Sequence, residues 1–364
     1  MPRIVEDIET LVTCESPSSD LEAVAASADV VARLGTARLG VEPERIVLEG
    51  RTHLRWRLGH GPRRVLVLGH HDTVWPLGAL ASHPFSITDG VLRGPGCFDM
   101  KTGLAMAFDA LASLSDVDGV TLLVTGDEEL GSPSSRDLIE AEAHGCAATL
   151  VLEAAGPGGA LKTSRKGVSR YQLTAHGRAA HAGLEPEKGI NASLELAHQL
   201  PAVAALADPA VGTTVTPTLL RAGTTTNTVP AEGSFAVDVR VRTLAEQDRV
   251  DKGIRALTPV LPGARLTVSG GPNRPPLEES ASAALFDRAR RIAADLGLPA
   301  LTGVAVGGAS DGNFTAGIGV PTLDGLGASG GGAHADDEHV LLDELPGRTA
   351  LVAALLADLL KENP

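Results

Sequence analysis

Histidine and carboxylate residues stand directly after three apolar segments of this chain. The segments are "RVLVLG" (64–69), "VTLLVTG" (120–126) and "ATLVLE" (148–153). The polar residues at their ends are His70, His71, Asp72, Asp127, Glu128, Glu129 and Glu153. Imidazole nitrogen and carboxylate oxygen, without cysteine sulfur, are the ligands that suit zinc or a similar divalent ion in a hydrolytic site. These residue types therefore predict metal-dependent hydrolysis.

The apolar segments are expected to be strands that are buried on both faces. Each is a continuous run of β-branched residues and leucine between turn-forming residues. Between the first two lies "KTGLAMAFDALASL" (101–114), whose apolar residues recur at helical spacing. Strands that alternate with helices predict an α/β fold with a mixed, mostly parallel sheet and helices on both faces. In such a sheet sites form at the carboxyl ends of the strands, so the polar residues should meet at one edge.

Two glycine-rich segments are expected to bring further ligands to this edge. "GPGCFDMKTG" (94–103) places Asp99 in a turn before the helix, and "GLGASGGGAHADDEH" (325–339) places His334 after a run of glycines. Several unpaired carboxylates in a half-buried crevice would repel one another, and a bound metal is the simplest way to hold them. A pair of ions that share one carboxylate fits the number of candidate ligands.

The middle of the chain has a different pattern. "YQLTAHG" (171–177) and "SFAVDVRVRT" (234–243) alternate apolar and polar residues, which is typical of half-exposed antiparallel strands. Thr243 and Glu246 have the spacing of a capping box at the start of a helix. The segment "SGGPNRPP" (269–276) is predicted to be a hinge or linker.

Helical periodicity returns after this segment. "SASAALFDRARRIAADLG" (280–297) is amphipathic and ends at a glycine. With 364 residues, the chain is longer than one compact core usually supports. The simplest organisation is a catalytic α/β domain in two pieces, 1–164 and 274–364, interrupted by an inserted α+β domain with an antiparallel sheet at 165–273.

The composition argues against several classes of protein. A net charge of −14 with no basic stripe argues against a general nucleic-acid binder. No apolar run approaches the roughly 18–20 residues of a membrane span, and the first residues lack the apolar core of a secretory signal. Cys14, Cys97 and Cys146 are far apart, which favours free thiols in a reducing compartment. We therefore expect a cytoplasmic protein without nucleic-acid or membrane partners.

Five motifs occur together in an order that identifies a family. They are "GHHDTVW", "GPGCFDMKTG", "TGDEELGS", "LVLEAAG" and "GGGAHADDE". In order and approximate spacing they resemble the di-zinc exopeptidase and deacylase family, which includes glutamate carboxypeptidase, acetylornithine deacetylase, succinyl-diaminopimelate desuccinylase and aminoacylase. The resemblance covers essentially the whole chain. "TGDEELGSPSSRDLIE" and "GRAAHAGLEPEKGINA" are most similar to the bacterial glutamate carboxypeptidase branch.

The resemblance implies a site with two Zn²⁺ ions per subunit, for which Co²⁺ or Mn²⁺ could substitute. The implied ligands are His70, Asp99 and Glu153 for one ion, and Asp99, Glu129 and His334 for the other. By the same resemblance, Asp72 supports the His70 imidazole and Glu128 is the general base. A cis peptide bond often follows the aspartate at the position of Asp99 in this family.

The inserted domain resembles the family's lid, which usually also forms the dimer. The resemblance implies that His181 in "GRAAHAG" reaches the active site of the partner subunit and stabilises the oxyanion. It also implies that Asn227 in "TNTVP" contacts the substrate and that Arg240 in "DVR" binds the substrate's free carboxylate. A planar guanidinium is well suited to this last task. The implied partners are a second copy of the chain and a small-molecule substrate, namely a peptide, an N-acyl amino acid or a folate-like conjugate.

The activity implied is hydrolysis of an amide bond next to a free carboxylate, with release of a C-terminal amino acid. Removal of an acyl group from an amino acid needs the same ions and base, and it stays open as an alternative. A non-catalytic binding protein on the same fold would be favoured if a ligand or the Glu128 base were missing, and none is. A di-metal phosphoesterase is disfavoured because this order of motifs does not belong to it.

Other polar residues near the motifs have structural interpretations. His71 would face away from His70 on an extended segment and serve packing or a hydrogen bond. Asp127 is expected to brace its turn. The acids at 336–338 are expected to form a solvated run, with His339 on the same surface.

Overall fold

The chain passes from one structural unit to another after Arg165 and returns before Leu277. The first unit contains the residues up to Arg165 and those from Leu277 onward, and the second is Lys166–Pro276. The structure is a computed structural model that describes residues 2–361. The domain boundaries predicted from the sequence lie close to these two points.

Nine α-helices and sixteen strands lie within residues 2–361. In chain order the helices are α1 (Pro2–Val12), α2 (Leu21–Leu39), α3 (Thr102–Ala112), α4 (Arg136–Ala143), α5 (Ala192–Ala204), α6 (Leu244–Arg255), α7 (Glu279–Asp295), α8 (Gly312–Gly317) and α9 (Leu345–Lys361). The strands are β1 (Glu44–Leu48), β2 (Arg51–Leu58), β3 (Val65–His70), β4 (Ser86–Thr88), β5 (Val91–Arg93), β6 (Val120–Thr125), β7 (Ala148–Val151), β8 (Leu161–Arg165), β9 (Gly167–His176), β10 (Thr214–Ala222), β11 (Glu232–Val241), β12 (Arg265–Arg274), β13 (Gly303–Val306), β14 (Thr322–Leu323), β15 (Gly330–Gly331) and β16 (His339–Leu341). The three apolar segments that the sequence predicts as buried strands are β3, β6 and β7.

A six-stranded sheet forms the centre of the first unit, with its strands in the order β1–β2–β6–β3–β7–β14. Strands β6, β3, β7 and β14 run parallel to one another. Strands β2 and β1 extend the sheet in antiparallel orientation beyond β6. The predicted α/β fold with a mixed, mostly parallel sheet is confirmed.

Helices cover both faces of this sheet. Val65 and Val67 of β3 belong to a core that includes residues of α1, α2, α3 and α9. Leu66 and Leu68, which point to the opposite face, belong to a separate core with residues of α4 and α8. Because both faces are covered, all residues of β3 are buried, and the strand is a continuous apolar run rather than an alternating one.

Two smaller sheets complete the first unit. One is antiparallel, in the order β15–β16–β5–β4, and the other is the parallel pair β13 and β8. In the first of these, His339 of β16 pairs with Arg93 of β5. This pairing ties the segment that carries His334 to the segment that leads to Asp99.

The second unit contains an antiparallel sheet in the order β10–β11–β9–β12. Alternate residues of β11 from Phe235 to Val241 are buried, and they pack with residues of α5 and α6. Helix α6 begins after Thr243, whose hydroxyl accepts the main-chain N–H of Glu246 at 3.3 Å. The predicted α+β architecture with alternating strands is confirmed for this part of the chain.

The predicted linker at 269–276 is wrong for most of its length. Residues 269–274 are the end of β12, an edge strand that pairs with β9. The pairing register shifts between Pro272 and Arg274, and Gly270 has a φ of +84°. Proline and glycine here mark an irregular edge strand, in which both residues are tolerated, rather than a break in structure.

No helix within residues 2–361 is long and apolar enough to cross a membrane. All three cysteines are free, and Cys97 and Cys146 are buried, which confirms the prediction of free thiols. Burial raises the pKa of the Cys146 thiol to about 11, so this thiol is protonated at neutral pH.

Candidate metal centre

Three parallel strands deliver polar residues to one edge of the central sheet. Strands β6 and β7 lie on either side of β3, so that His70 pairs with Thr125 and Leu68 with Val151. Because the strands run parallel, the residues that follow them emerge at the same edge. These residues are His70, Asp72, Glu128, Glu129 and Glu153.

The two ring nitrogens of the buried His70 have different surroundings. Nδ1 donates a hydrogen bond to the main-chain oxygen of Asp72 at 3.0 Å, which leaves the lone pair on Nε2. Nε2 lies 3.4 Å from Oδ1 of Asp99 and 3.4 Å from Oε1 of Glu153, and it makes no hydrogen bond within the part of the chain that the structure describes. A buried nitrogen lone pair beside two carboxylates fits the donor set of a divalent metal.

Asp99 belongs to this cluster and to a second one. Its Oδ2 lies 3.3 Å from Nε2 of His334, and the same nitrogen lies 3.1 Å from Oε2 of Glu129. The peptide bond that follows Asp99 is cis, as the family resemblance implies. One carboxylate thus faces two imidazoles with different oxygens, an arrangement that suits a ligand shared by two ions.

Glycines before His334 allow two chain segments to approach closely. A Cβ on Gly330 would lie 2.0 Å from the main-chain oxygen of His339. A Cβ on Gly332 would lie 2.7 Å from the main chain of Asp337. His334 itself has a φ of +63°, in the left-handed region that non-glycine residues rarely adopt. Strained conformations of this kind concentrate at functional sites.

The carboxylates determine the charge of both imidazoles. Burial lowers the pKa of His70, but the neighbouring carboxylates outweigh burial and raise this pKa well above its ordinary value. Hydrogen bonds to Asp99 and Glu129 raise the pKa of His334 to about 10. Burial alone would raise the pKa of Asp99, yet the two histidines hold it well below its ordinary value. Without a metal the cluster therefore favours a proton on each imidazole, and a bound cation would take the place of the proton on Nε2.

The carboxylate of Asp72 braces the loop that carries Glu128 and Glu129. Its Oδ1 accepts the main-chain N–H of Glu128 at 3.2 Å, and its Oδ2 accepts that of Glu129 at 3.2 Å. Oδ2 also accepts the Ser18 hydroxyl at 2.6 Å. The same carboxylate lies 3.4 Å from Nδ1 of His70. The family resemblance implies that Asp72 supports the His70 imidazole. It does not indicate that Asp72 also holds the loop of Glu128 and Glu129.

Glu128 lies beside the first cluster. One of its carboxylate oxygens lies within 4.8 Å of the ligand atoms of His70 and Glu153. Glu128 is only 8% exposed and is the first residue of the short helical turn Glu128–Leu130. A carboxylate in this position can exchange a proton with a water molecule in the cluster.

His71 and Asp127 have the structural roles that the sequence predicts. His71 donates from Nε2 to the main-chain oxygen of Thr52 at 3.0 Å, and its Nδ1 lies 3.2 Å from a serine hydroxyl. Burial lowers the pKa of His71 to about 4, so its imidazole is neutral. Asp127 accepts hydrogen bonds from the hydroxyls of Ser134 and Ser135 at 2.6 and 2.5 Å, which braces the turn.

The prediction of a solvated acidic run at 336–338 is wrong for Glu338. Asp336 and Asp337 are exposed, whereas Glu338 is 3% exposed. Burial raises the pKa of the Glu338 carboxyl, while main-chain N–H groups and the Trp75 indole favour its ionised form by donating hydrogen bonds to it. A single buried acid in a run of three acids has no distinguishing signal in the sequence.

A buried guanidinium that sequence reasoning missed lies behind Glu153. Arg165 donates to both oxygens of Asp324, at 2.7 and 3.0 Å, and its Nη2 lies 3.4 Å from Oε2 of Glu153. Burial and Asp99 raise the pKa of Glu153, but His70 and Arg165 hold it below its ordinary value. The arginine in "KTSRKG" has the sequence context of an ordinary surface residue.

The second unit carries the other predicted site residues, which are His181, Asn227 and Arg240. His181 and Asn227 are exposed and lie on paired segments, since the residue after His181 donates its N–H to the main-chain oxygen of Asn227 at 2.9 Å. Arg240 donates from Nε and Nη2 to the two oxygens of Asp238, at 2.8 and 3.0 Å. The roles predicted for these three residues stay predictions.

Alanine substitution should separate the two adjacent histidines. His70→Ala removes a nitrogen that faces two carboxylates, so we expect loss of bound metal, measured by elemental analysis after dialysis. His71→Ala is the matched control, and it should keep its metal. It should also lower the free energy of unfolding by about 1–3 kcal/mol, because it leaves buried hydrogen-bond partners unsatisfied. A His70→Ala protein with the metal content of the wild type would contradict this assignment.

The chain resembles known metallohydrolases in both sequence and fold. It matches the profile of "Peptidase family M20/M25/M40" over residues 66–358. It is 30% identical to carboxypeptidase G2 of a Pseudomonas species, over 98% of this chain and 89% of that protein. It is also 30% identical to a succinyl-diaminopimelate desuccinylase of Methylorubrum populi, over 80% of this chain and 81% of that protein.

Solved structures share the fold along the whole chain. Aminopeptidase PepT from Bacillus cereus has a TM-score of 0.75 at 22% identity, with 99% of each chain covered. An M20 family metallo-carboxypeptidase from Sulfolobus solfataricus has a TM-score of 0.72 at 16% identity, with 98% of this chain and 99% of that chain covered. The profile and the full-length relative together span nearly the whole sequence, and the histidine and carboxylate cluster fits the divalent metal that this family uses. This chain therefore belongs to peptidase family M20/M25/M40 and is a metallohydrolase.

Proposed function

We propose that this enzyme hydrolyses an amide bond next to a free carboxylate and releases a C-terminal amino acid, as a glutamate carboxypeptidase does. The observation that carries the proposal is the position of Glu128, whose carboxylate lies within 4.8 Å of the candidate ligand atoms of His70 and Glu153. A proton-accepting group beside a candidate metal centre is what hydrolysis of an amide requires. The relative named carboxypeptidase G2, which matches 98% of this chain, supports this reaction.

Six side chains of the first unit provide the ligands and the base in this proposal. Two divalent ions, proposed to be zinc, would supply an activated water and polarise the amide carbonyl when bound. One ion would be held by His70, Asp99 and Glu153, and the other by Asp99, Glu129 and His334. Co²⁺ or Mn²⁺ could take the same oxygen and nitrogen ligands.

Glu128 moves the proton in the proposed reaction. Its carboxylate accepts a proton as the water oxygen forms a bond to the amide carbon. It delivers that proton to the amine nitrogen as the carbon–nitrogen bond breaks. Asp72 positions Glu128 through the main-chain N–H at 3.2 Å, so the base sits on a braced turn rather than on a free loop.

His181 is proposed to donate a hydrogen bond to the oxyanion. The main-chain N–H of Gly183 donates to Nδ1 of His181 at 3.1 Å. In a neutral imidazole this bond leaves the proton on Nε2, which makes Nε2 a donor. We propose that His181 makes this contact in the active site of a second copy of the chain, within a homodimer formed through the second unit. Asn227, on the segment paired with His181, is proposed to contact the substrate.

Arg240 is proposed to bind the free carboxylate of the substrate. Asp238 holds its guanidinium by two hydrogen bonds, which limits the orientations it can adopt. These bonds use Nε and Nη2, so Nη1 can donate to a substrate oxygen. A guanidinium fixed in this way suits recognition of a planar carboxylate.

Removal of an acyl group from an amino acid is the second candidate function. The relative named succinyl-diaminopimelate desuccinylase, at 30% identity over 80% of this chain, favours it. Both candidate reactions need the same metal ligands and the same base. They differ in the acyl part of the amide, which is a peptide or a folate-like group for the carboxypeptidase and a simple acyl group for the deacylase.

The cytoplasm is the proposed location of the enzyme. Cys14, Cys97 and Cys146 are free, as expected where glutathione keeps thiols reduced. Fractionation of the source cells with an antibody to the chain tests this, and recovery outside the cytoplasmic fraction would contradict it.

Replacement of Glu128 by glutamine should remove activity but not metal. Glu128→Gln keeps the shape of the side chain and cannot accept the proton, so we expect kcat to fall by about 10²–10⁴-fold. Metal content by elemental analysis should equal that of the wild type. Glu9→Gln, at an exposed position of α1, is the matched control and should leave kcat unchanged. Turnover of Glu128→Gln within about tenfold of the wild type would overturn its role as base, given the size of such effects.

A substrate panel on the metal-reconstituted enzyme should distinguish the two candidate reactions. We expect the highest kcat/KM on peptides and folate-like conjugates that end in glutamate, and lower values on N-acetyl and N-succinyl amino acids. Arg240→Gln should raise KM for free-acid substrates by about 10- to 100-fold, because a charge-assisted hydrogen bond contributes about 1.5–3 kcal/mol. The exposed Arg265→Gln is the control. A preference for N-acyl amino acids would favour the deacylase, and an unchanged KM would remove Arg240 from the site.

Mixed dimers should test whether His181 acts between subunits. Glu128→Gln and His181→Ala are co-expressed with different tags, and the mixed species is purified through both tags. Each homodimer should be nearly inactive, whereas the mixed dimer should regain activity in the site that combines an intact Glu128 with the His181 of the other copy. An inactive mixed dimer, or a monomeric mass by ultracentrifugation, would contradict the proposal.

A further inference from the structure

Glu338 accepts hydrogen bonds from four N–H donors that belong to two other segments of the chain. Its Oε1 accepts the main-chain N–H of Phe98 at 2.9 Å and that of Asp99 at 3.0 Å. Its Oε2 accepts the main-chain N–H of Gly96 at 2.9 Å and the indole N–H of Trp75 at 2.7 Å. Glu338 is 3% exposed, so these bonds are made away from bulk water.

Only an ionised carboxylate satisfies this set of donors. A carboxylate has lone pairs on both oxygens and no proton to donate, so each oxygen can accept two N–H groups. A glutamine in the same place would present its own N–H₂ group to two of the donors. Buried N–H groups that lose their acceptor are costly, and hydrogen bonds to a charged acceptor are the strongest of their kind.

Glu338 also links three segments that each carry a candidate ligand. Trp75 follows His70 on the segment that leaves β3, and the turn that ends at Asp99 provides the three main-chain donors. Glu338 itself lies four residues after His334. One carboxylate that is not among the proposed ligands thus connects the segments that carry these three ligands.

We propose that Glu338 is a positioning residue that sets where the Asp99 carboxylate lies between the two imidazoles. The proposal rests on the di-metal site proposed above. Asp99 is the residue for which position matters most, since its Oδ1 lies 3.4 Å from His70 and its Oδ2 lies 3.3 Å from His334. Rotation of its backbone would move both oxygens away from their partners, so both ions would lose a ligand.

Zinc titration of the metal-free protein tests this without any substrate. The variants are Glu338→Gln and, as the matched control, Asp337→Asn at the exposed neighbouring position. We expect Glu338→Gln to bind zinc about 10- to 100-fold more weakly by calorimetry, the usual effect of removing a group that orients a ligand. The visible absorption of the cobalt-substituted protein should change as well, because the coordination around the ion changes. Asp337→Asn should match the wild type in both measurements.

Wild-type zinc affinity and cobalt absorption in a folded Glu338→Gln protein would overturn the proposal, even if its melting temperature fell. If Glu338→Gln does not fold, Trp75→Phe removes a single donor and keeps an aromatic ring. Weaker zinc binding by Trp75→Phe supports the proposal, and unchanged binding overturns it. These outcomes do not depend on turnover. A wild-type enzyme that binds two ions but cleaves nothing in the substrate panel would contradict the proposed function and leave this comparison intact.

Discussion

The carboxylate of Asp99 lies between two imidazoles. Other buried carboxylates lie close to it, and their mutual repulsion is the constraint on which the site depends. Oxygens of Asp99 and Glu129 lie within 4.8 Å of one another. At an effective dielectric constant of about 20, two such charges repel by about 3–4 kcal/mol. That repulsion is a large fraction of the stability of a typical domain. The fold must therefore offset it with positive charge, and a divalent cation would provide that charge where the oxygens converge.

Each buried acid near this point is stabilised in its own way. Asp72 and Glu338 accept main-chain N–H groups, which favour the ionised form of each carboxyl. Glu153 has Arg165 behind it at 3.4 Å. Asp99 and Glu129 both face the imidazole of His334, and Asp99 also faces that of His70. These two acids, which face imidazoles rather than a guanidinium, are the carboxylate ligands predicted for the second ion.

Local patterns predict much of this arrangement, and the failures have physical causes. Strand β3 is recognisable because burial of both faces requires an uninterrupted apolar run, and β11 because one buried face requires alternation. Glu338 could not be identified, since its burial depends on a turn more than 200 residues earlier in the chain. The strand end at 269–274 has the pattern of a linker because glycine and proline occur both in linkers and in irregular edge strands.

In the proposed mechanism, the first unit carries the residues that perform the chemistry and the second unit carries those that contact the substrate. The predicted ligands and base lie at the end of a sheet whose strands are buried on both faces, so their geometry tolerates little change. His181 and Asn227 are exposed on loops of the second unit, and loops of this kind can vary without disturbing a core. A carboxypeptidase and a desuccinylase are each 30% identical to this chain, over 98% and 80% of it respectively. Similarity to enzymes with different substrates is expected if the metal centre performs the amide hydrolysis that these enzymes have in common. Differences in substrate within this family should therefore be sought in the second unit, around Arg240 and the paired segments at 181 and 227.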